Sequence, residues 1–448
     1  MSASARHENE NWPAPKTAWY VAIVLMLANT LAFVDRQALA LLVQPIKHDL
    51  QVSDTTMSLL YGLSFTLFYV IVGIPVARLA DRSNRRNIIA ISVFVWSLAT
   101  SVCGLTRSFS MLFATRVVVG AGEGGLTPAA HSILSDYFPR ERLAAAIGVY
   151  QMGIYVGGAA ALLIGGFIAT TIPPAEWVTL PAIGTIKGWQ LIFLVLGLPG
   201  LAFAVLTLTV REPMRRGLSP TEASVSLRRA FVHVRQHASA YAGIMFGFAL
   251  MILVGNGVQV WIPAFFERKF GWTTSEIGAL YGTVFFFCGS SGTLAGGFFA
   301  SFLGKRGVQA SNLVAACIGF IALVPLSICF PLMPTGLSAL AVIGVMNFFA
   351  GFNFGGGLAA LQDLTPNRMR ALISASYLLI INLFGAAGGP TVIALVTDFG
   401  FKDPQRLPDA VSLTCAVASP LAVVALWIGM RGYRRALITR AASLEQSI

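Results

Sequence analysis

Twelve apolar stretches, each long enough to cross a bilayer, recur along this 448-residue chain, at roughly 18–46, 54–79, 87–107, 109–137, 142–171, 189–210, 239–266, 274–303, 307–331, 335–364, 369–398 and 409–430. A hydrocarbon core about 30 Å thick takes about 20 helical residues to span. Inside it every backbone N–H and C=O must be bonded within the protein, so stretches of this kind are expected to be helices. With 56% hydrophobic and 11% charged residues, the composition lies far from that of soluble globular chains. The expected fold is an all-α membrane protein of twelve transmembrane helices, spans 1 to 12. The first sixteen residues are polar, and span 1 carries Asp35-Arg36 without a small-residue cleavage site. Span 1 is therefore expected to be retained rather than removed as a signal peptide.

The net charge of +12 is unevenly spread. With the N-terminus placed in the cytoplasm, 22 lysines and arginines fall in cytoplasmic segments, among them Arg78, Arg82, Arg85, Arg86 and the Arg211–Arg235 cluster, against 7 on the other side. This positive-inside bias puts both termini in the cytoplasm. The basic excess then serves topology and meets anionic headgroups at the cytoplasmic face of the bilayer. Nucleic acid is not an expected partner, and a monomer is expected. Cys103, Cys288, Cys317, Cys329 and Cys415 all fall in spans without paired spacing, and the histidines are scattered. No metal or cofactor is expected.

The longest polar stretch, Arg211–His237, divides the chain into two six-span halves. The expected organisation is a cytoplasmic tail over 1–17, a six-helix bundle over 18–210, a basic linker over 211–238, a second bundle over 239–430 and a tail over 431–448. The halves resemble each other. A shift of 220 places Tyr61-Gly62 on Tyr281-Gly282 and Arg85-Arg86 on Lys305-Arg306, and a shift of 227 places Asp136-x-x-Pro139 on Asp363-x-x-Pro366. Internal repeats of this kind occur in membrane transport folds. Spans 5 and 11 each carry a Gly-x-x-x-Gly step, Gly153/Gly157 and Gly385/Gly389. Such steps let helices approach closely in lipid, which suits either the contact between halves or packing inside each.

The duplication fails at four ionisable residues. Asp35 and Arg36 align with Gly255 and Asn256, and Arg116 and Glu123 align with Ile343 and Ala350. Charges at membrane depth are costly, face a bundle interior or an aqueous cavity, and pair with one another. At 1.5 Å per residue, Asp35 lies about 25 Å from the cytoplasmic end of span 1 and Arg116 about 10 Å below the outer surface. The depths coincide, so Asp35 or Arg36 is expected beside Arg116 as an outer tier. Glu123, two turns along the same face, forms an inner one. Moving an arginine between the two acids would change which holds a proton and so link protonation to conformation. A static buried salt-bridge cluster is the alternative. His131, eight residues beyond Glu123, could extend a proton path or simply pack near the helix end.

After span 2 the chain reads Ala77-Arg-Leu-Ala-Asp81-Arg82-Ser-Asn84-Arg85-Arg86. A positive-inside loop accounts for these arginines but not for the acid among them. Span 4 reads Arg116-Val-Val-Val-Gly120-Ala-Gly122-Glu123-Gly124-Gly125. Its G-x-G-x-x-G spacing follows no strand and lies in an apolar span, which excludes dinucleotide binding. The first segment resembles the loop 2–3 motif of the major facilitator superfamily, G-x-L-A-D-R-x-G-R-R, with Ala77 and Asn84 replacing two glycines. The second resembles that superfamily's span 4 motif, an arginine followed by spaced glycines. With Phe33-Val-Asp35-Arg36 they together resemble the spinster branch, most strongly over about residues 20–170. The resemblance implies two pseudo-symmetric six-helix bundles, a gating role for Asp81, Arg82, Arg85 and Arg86, and proton coupling through Asp35, Arg36, Arg116 and Glu123. It further implies lysophospholipids or sphingolipids as the substrate class and a bacterial inner membrane as the location.

The expected function is proton-coupled secondary transport by alternating access, with the proton gradient as driving force. The expected substrate is an amphiphilic anionic lipid whose head is drawn to Arg36 or Arg116. A small organic anion, a sugar acid or an aromatic acid, is the alternative; a receptor or scaffold without turnover is a second. No nucleophile–base or metal constellation points to an enzyme. Asn256, Gln259, Trp261 and Asn347 on spans 7 and 10 are expected in the cavity wall with Arg36 and Arg116. The runs Phe285-Phe286-Phe287 and Phe348-Phe349 are expected to face lipid or an acyl chain.

Overall fold

The computed structural model describes residues 12–80, 82–181, 183–215, 227–353, 356–366 and 369–445. Its spans are labelled here α1 (Pro15–Leu41), α2 (Asp54–Ala80), α3 (Arg85–Cys103), α4 (Phe109–Glu123 continued by Leu126–Tyr137), α5 (Arg140–Thr171) and α6 (Gly188–Thr207) in the first half. The second half holds α7 (Ala238–Phe270), α8 (Thr274–Lys305), α9 (Ser311–Leu332), α10 (Gly336–Ala350 continued by Gly356–Leu364), α11 (Leu372–Phe401) and α12 (Leu407–Glu445). An antiparallel hairpin of β1 (Trp177–Leu180) and β2 (Gly184–Lys187) joins α5 to α6. The side that carries it is called the hairpin face, and the side where α1 begins is the terminal face.

Local chemistry sets the helix starts. Ser53, Asn84, Ser108, Thr273 and Thr335 each accept a hydrogen bond from a backbone N–H of the first turn of α2, α3, α4, α8 and α10. Those amides otherwise have no partner inside the helix.

Ten of the described helices are long and apolar enough to cross a membrane unbroken. The other two spans, α4 and α10, are interrupted after Glu123 and after Ala350, positions related by the same 227-residue shift. Glycines follow both breaks, at Gly124-Gly125 and Gly351, and glycine lowers the resistance of a helix to local unwinding. At Gly124 the glycine is also demanded by space. A Cβ there would lie 2.7 Å from the carbonyl oxygen of Tyr69 on α2. The repeat therefore duplicates the broken helix but places an acid beside only one of the breaks.

The Gly-x-x-x-Gly steps pack inside the halves. Gly153 and Gly157 of α5 lie against Met26, Asn29 and Thr30 of α1, and Gly385 and Gly389 of α11 lie against Ala249, Ile252 and Leu253 of α7. Contact between the halves uses other residues. Gly166 of α5 meets Gly278 of α8, and lower on the same pair the Tyr155 and Thr293 hydroxyls bond at 2.8 Å. Beyond that level the two helices part. A Cβ on Gly148 or on Gly297 would meet no atom within 4 Å. On the other side of the interface α2 touches α11 through Ser58 and Thr391, and a Cβ on Gly62 would lie 2.6 Å from Ala387 O. Both helices make π turns there, at Gly62–Leu67 and Ile381–Ala387. The halves are thus closed together toward the hairpin face and separate toward the terminal face.

The phenylalanine runs divide between roles. Phe285 is buried against Gly158 where the halves meet, and Phe287 is exposed on the outer surface. Phe348 and Phe349 cluster with Phe352 where α10 crosses Gly292 and Gly296 of α8. They pack within the second half.

Candidate functional site

The structure brings Asp35, Arg36, Arg116 and Glu123 into one cluster where α1 passes α4. Arg36 donates from Nε and Nη2 to Oε2 of Glu123, at 2.9 and 2.6 Å. Arg36 thus pairs with Glu123 rather than with Arg116, and of the two expected neighbours it is Asp35 on which Arg116 acts. Side chains on a helix lean toward its N-terminus. Arg36 on α1 therefore leans toward the terminal face, and Glu123 on the oppositely directed α4 leans up to meet it. Matching Cα depths left open which of Asp35 and Arg36 faces Arg116.

The Arg36 guanidinium lies over three rings, 4.8 Å from Phe33, 4.6 Å from Phe65 and 5.4 Å from Tyr69. Arg116 shares Phe65, at 5.6 Å. Phe65 stands in the π turn of α2, and the absence of a side chain at Gly120 lets that turn approach α4. A Cβ on Gly120 would sit 2.4 Å from Phe65 O. The Arg36 side chain is 32% exposed and that of Glu123 1%. Asp35 and Arg116 are buried. Of the four, only Arg36 is partly exposed.

The cluster is incompletely satisfied. Arg116 Nε and Nη1 and Glu123 Oε1 are sealed from solvent without a hydrogen-bond partner. Arg116 acts electrostatically on Asp35, Glu123, Tyr61 and Cys103, and Thr100 stands beside Asp35. A buried charge without full pairing is costly, so such a site favours a proton or an anion that completes it.

On the facing half, Gln259 Nε2 donates to Gln37 Oε1 at 3.1 Å and bridges α7 to α1 one residue from Arg36. Asn256 is turned to its own helix, donating to Ile252 O. Asn347 is half-buried with Nδ2 unpartnered. Trp261 is no part of a cavity wall. It is fully buried, and its Nε1 donates to Pro390 O of α11 at 3.0 Å, because the helix turn that aims Gln259 at α1 aims Trp261 into the second bundle. Gly255, the counterpart of Asp35, is exposed with no atom within 4 Å of a Cβ.

Of the loop 2–3 residues, Asp81 lies outside the described residues and Arg82 is exposed. Arg85 is 1% exposed and donates to Asp136 Oδ2, to Glu212 Oε1 and to both oxygens of Ser132. The Arg86 backbone N–H donates to Glu212 Oε2 at 3.0 Å. Arg215 donates to Ala80 O and Ser83 O, each at 2.7 Å. All these contacts join the first half to itself or to the start of the linker, and none reaches the second half.

A second ionic cluster escaped the sequence reading. Asp54, fully buried at the start of α2, receives Arg268 of α7 at 2.6 and 2.7 Å and Lys47 at 2.6 Å. Beside it the Thr55 N–H donates to Asp398 Oδ2 of α11 at 2.7 Å. These bonds tie the halves together at the hairpin face. Lys47 and Arg268 had counted only as charges outside the spans. The available signal was a lone acid at the end of each of two apolar stretches, Asp54 and Asp398.

Residues 25–390 match the Major Facilitator Superfamily. A protein of Mycolicibacterium smegmatis described as an MFS-type efflux pump is 29% identical, over 95% of this chain and 96% of its own. A hexuronate transporter of Bacillus subtilis is 24% identical, over 84% of this chain and 87% of its own. Among solved structures, a bacterial homologue of the human lysosomal transporter spinster, in an inward-facing and unoccupied conformation, superposes with a TM-score of 0.72 at 28% identity. That match covers 95% of this chain and 98% of the other.

Proposed function

The chain belongs to the Major Facilitator Superfamily and is spinster-like within it, and on that premise we propose that it is a proton-coupled secondary transporter of an anionic amphiphile, such as a lysophospholipid, working by alternating access. One observation carries the reading. Arg36, the cluster's partly exposed cation, is held by two bonds to a single oxygen of sealed Glu123. An incoming anion and the Glu123 carboxylate compete for that guanidinium. Protonation of Glu123 removes the competitor, so proton binding and anion binding each strengthen the other. Arg116, with two unpartnered donors near Asp35, is the second cation, and Asp35 is the second proton carrier. The rings of Phe33, Phe65 and Tyr69 around Arg36 give an apolar surface beside the charge, which suits an amphiphile. The hexuronate carrier among the relatives supports a second reading, a small organic anion on the same arginine.

With the termini in the cytoplasm of a bacterial inner membrane, as the bias of 22 cations against 7 favours, the terminal face is cytoplasmic and the molecule is inward-open. The Asp54–Arg268 cluster then closes the outer side. Asp81, Arg82, Arg85 and Arg86 would belong to the counterpart that closes the inner side. No ATP is required, because the proton gradient supplies the work.

The test is binding and uptake, with lysophosphatidylglycerol and glucuronate as probes. Affinity is expected to rise as pH falls, and Glu123→Gln should bind tightly at every pH while losing uptake driven by an imposed pH gradient. Affinity independent of pH in the unmodified protein, or full gradient-driven uptake by the Gln variant, would overturn the reading.

A further inference from the structure

Glu123 is sealed from the space between the halves, so a proton leaving it needs a route of its own. We propose that Tyr150, Thr127 and His131 form that route, a proton path from Glu123 toward the terminal face with half-buried His131 as its last station. The inference rests on the reading of Glu123 as a proton carrier. Thr127 and His131 stand four and eight residues beyond Glu123, about 6 and 12 Å further toward the terminal face at 1.5 Å per residue. Between them α5 inserts Tyr150, which is fully buried. Its hydroxyl lies 3.2 Å from Thr127 Oγ1, and its ring meets that of His131 edge-on at 5.3 Å.

The two ends of this series are open in the same sense. Glu123 Oε1 is free because Arg36 uses only Oε2, and His131 Nε2 is equally sealed and unpartnered. Packing alone accounts for the ring contact but leaves a buried nitrogen unsatisfied, which native structures rarely tolerate. The charged and titratable groups acting on Tyr150 are Arg36 of α1, Tyr69 of α2 and Glu123 of α4. Among the described residues no charged side chain acts on His131.

With its resting proton on Nδ1, His131 presents Nε2 as an acceptor. The proton on Glu123 Oε1 reaches the Tyr150 hydroxyl oxygen across an intervening water, as Tyr150 gives its own to Thr127 Oγ1, 3.2 Å away. Thr127 gives its proton in turn, again across a water, to His131 Nε2. One proton has then moved from carboxyl to imidazole, and both hydroxyls are intact with their hydrogens turned. The imidazolium releases its proton toward the terminal face.

The experiment needs no substrate. In the full-length protein in nanodiscs, the infrared carboxyl band of Glu123, identified by its loss in Glu123→Gln, is followed after a pH step. Tyr150→Phe and His131→Leu are expected to slow its relaxation by about a hundredfold without moving its titration midpoint. Added imidazole should restore speed to His131→Ala. Unchanged relaxation in both variants overturns the path. So does a shifted midpoint at unchanged rate, which would assign these residues to packing. A Glu123 that shows no titrating band in the unmodified protein overturns the carrier reading itself, and the path with it.

Discussion

Two buried carboxylates in this molecule each receive two N–H groups from one arginine, and their placement separates them. Glu123 and Arg36 lie on spans α4 and α1 of the same half. Asp54 and Arg268 lie at the hairpin face on α2 and α7 of opposite halves. Rocking of the halves leaves the first pair's distance unchanged and must break the second. On the proposed mechanism, protonation of Glu123 weakens the first with no rigid-body motion at all. On that mechanism the same chemistry serves sensing in one place and closure in the other, and the boundary between bundles decides which.

The surroundings follow the same division. Arg36 is a third exposed, rests on aromatic faces and engages one oxygen, leaving Glu123 Oε1 free for a proton. Asp54 has both oxygens occupied by Arg268 and a second cation in Lys47. Two cations on one acid hold it ionised, which suits a latch. Asp398 adds to that latch by accepting from the first turn of α2, where the helix dipole favours an anion.

The comparison breaks most sharply at Glu123. Glu123→Gln is expected to abolish gradient-driven uptake while leaving the ratio of open states, read from cysteine labelling on each face, nearly unchanged. A large shift in that ratio would mean that the inner pair is also a latch. Next in size is Asp54→Ala. Removing one partner of a buried pair costs about 3–5 kcal/mol, so the population open at the hairpin face should rise by about a hundredfold or more. Spin-label distances across α2 and α11 read this directly, and unmoved distances would show that Asp54 does not hold the halves closed. Phe65→Leu tests the aromatic support of Arg36. Loss of a partly desolvated cation–π contact is worth about 1–2 kcal/mol, and probe affinity should fall about tenfold at every pH, with the pH slope retained. Gln259→Leu is expected to have the smallest effect. A neutral hydrogen bond between halves contributes about 1 kcal/mol, so the open-state ratio should shift about fivefold, far less than for Asp54→Ala. Equal shifts would place the closure at the amide bridge instead.

Much of the architecture was legible in the sequence because membrane depth is a one-dimensional constraint. Apolar length located the spans, and the failure of the repeat at Asp35, Arg36, Arg116 and Glu123 marked the residues that the structure assembles into one cluster. The breaks in α4 and α10 were less visible. The glycines announced close approach, but approach to what depended on α2 and α8 lying alongside. The Gly-x-x-x-Gly steps were legible as packing surfaces and silent about their partner. Trp261 and Gln259 sit two residues apart on one apolar helix, and only the rotation of α7 sent one into its bundle and the other across to Gln37.

By itself, then, the sequence determined which segments lie in the membrane, that the chain is a duplicated bundle, and which charges its first half must accommodate. Those follow from the cost of exposing peptide groups and charges to hydrocarbon, which is counted residue by residue. Pairing was decided only by the tertiary structure. Arg36 meets Glu123 because side chains on antiparallel helices lean toward each other's depth. Asp54 meets Arg268 because the halves close toward the hairpin face. Contacts between distant segments depend on helix rotation and on which face of the interface is shut, and no spacing along one strand of sequence records either.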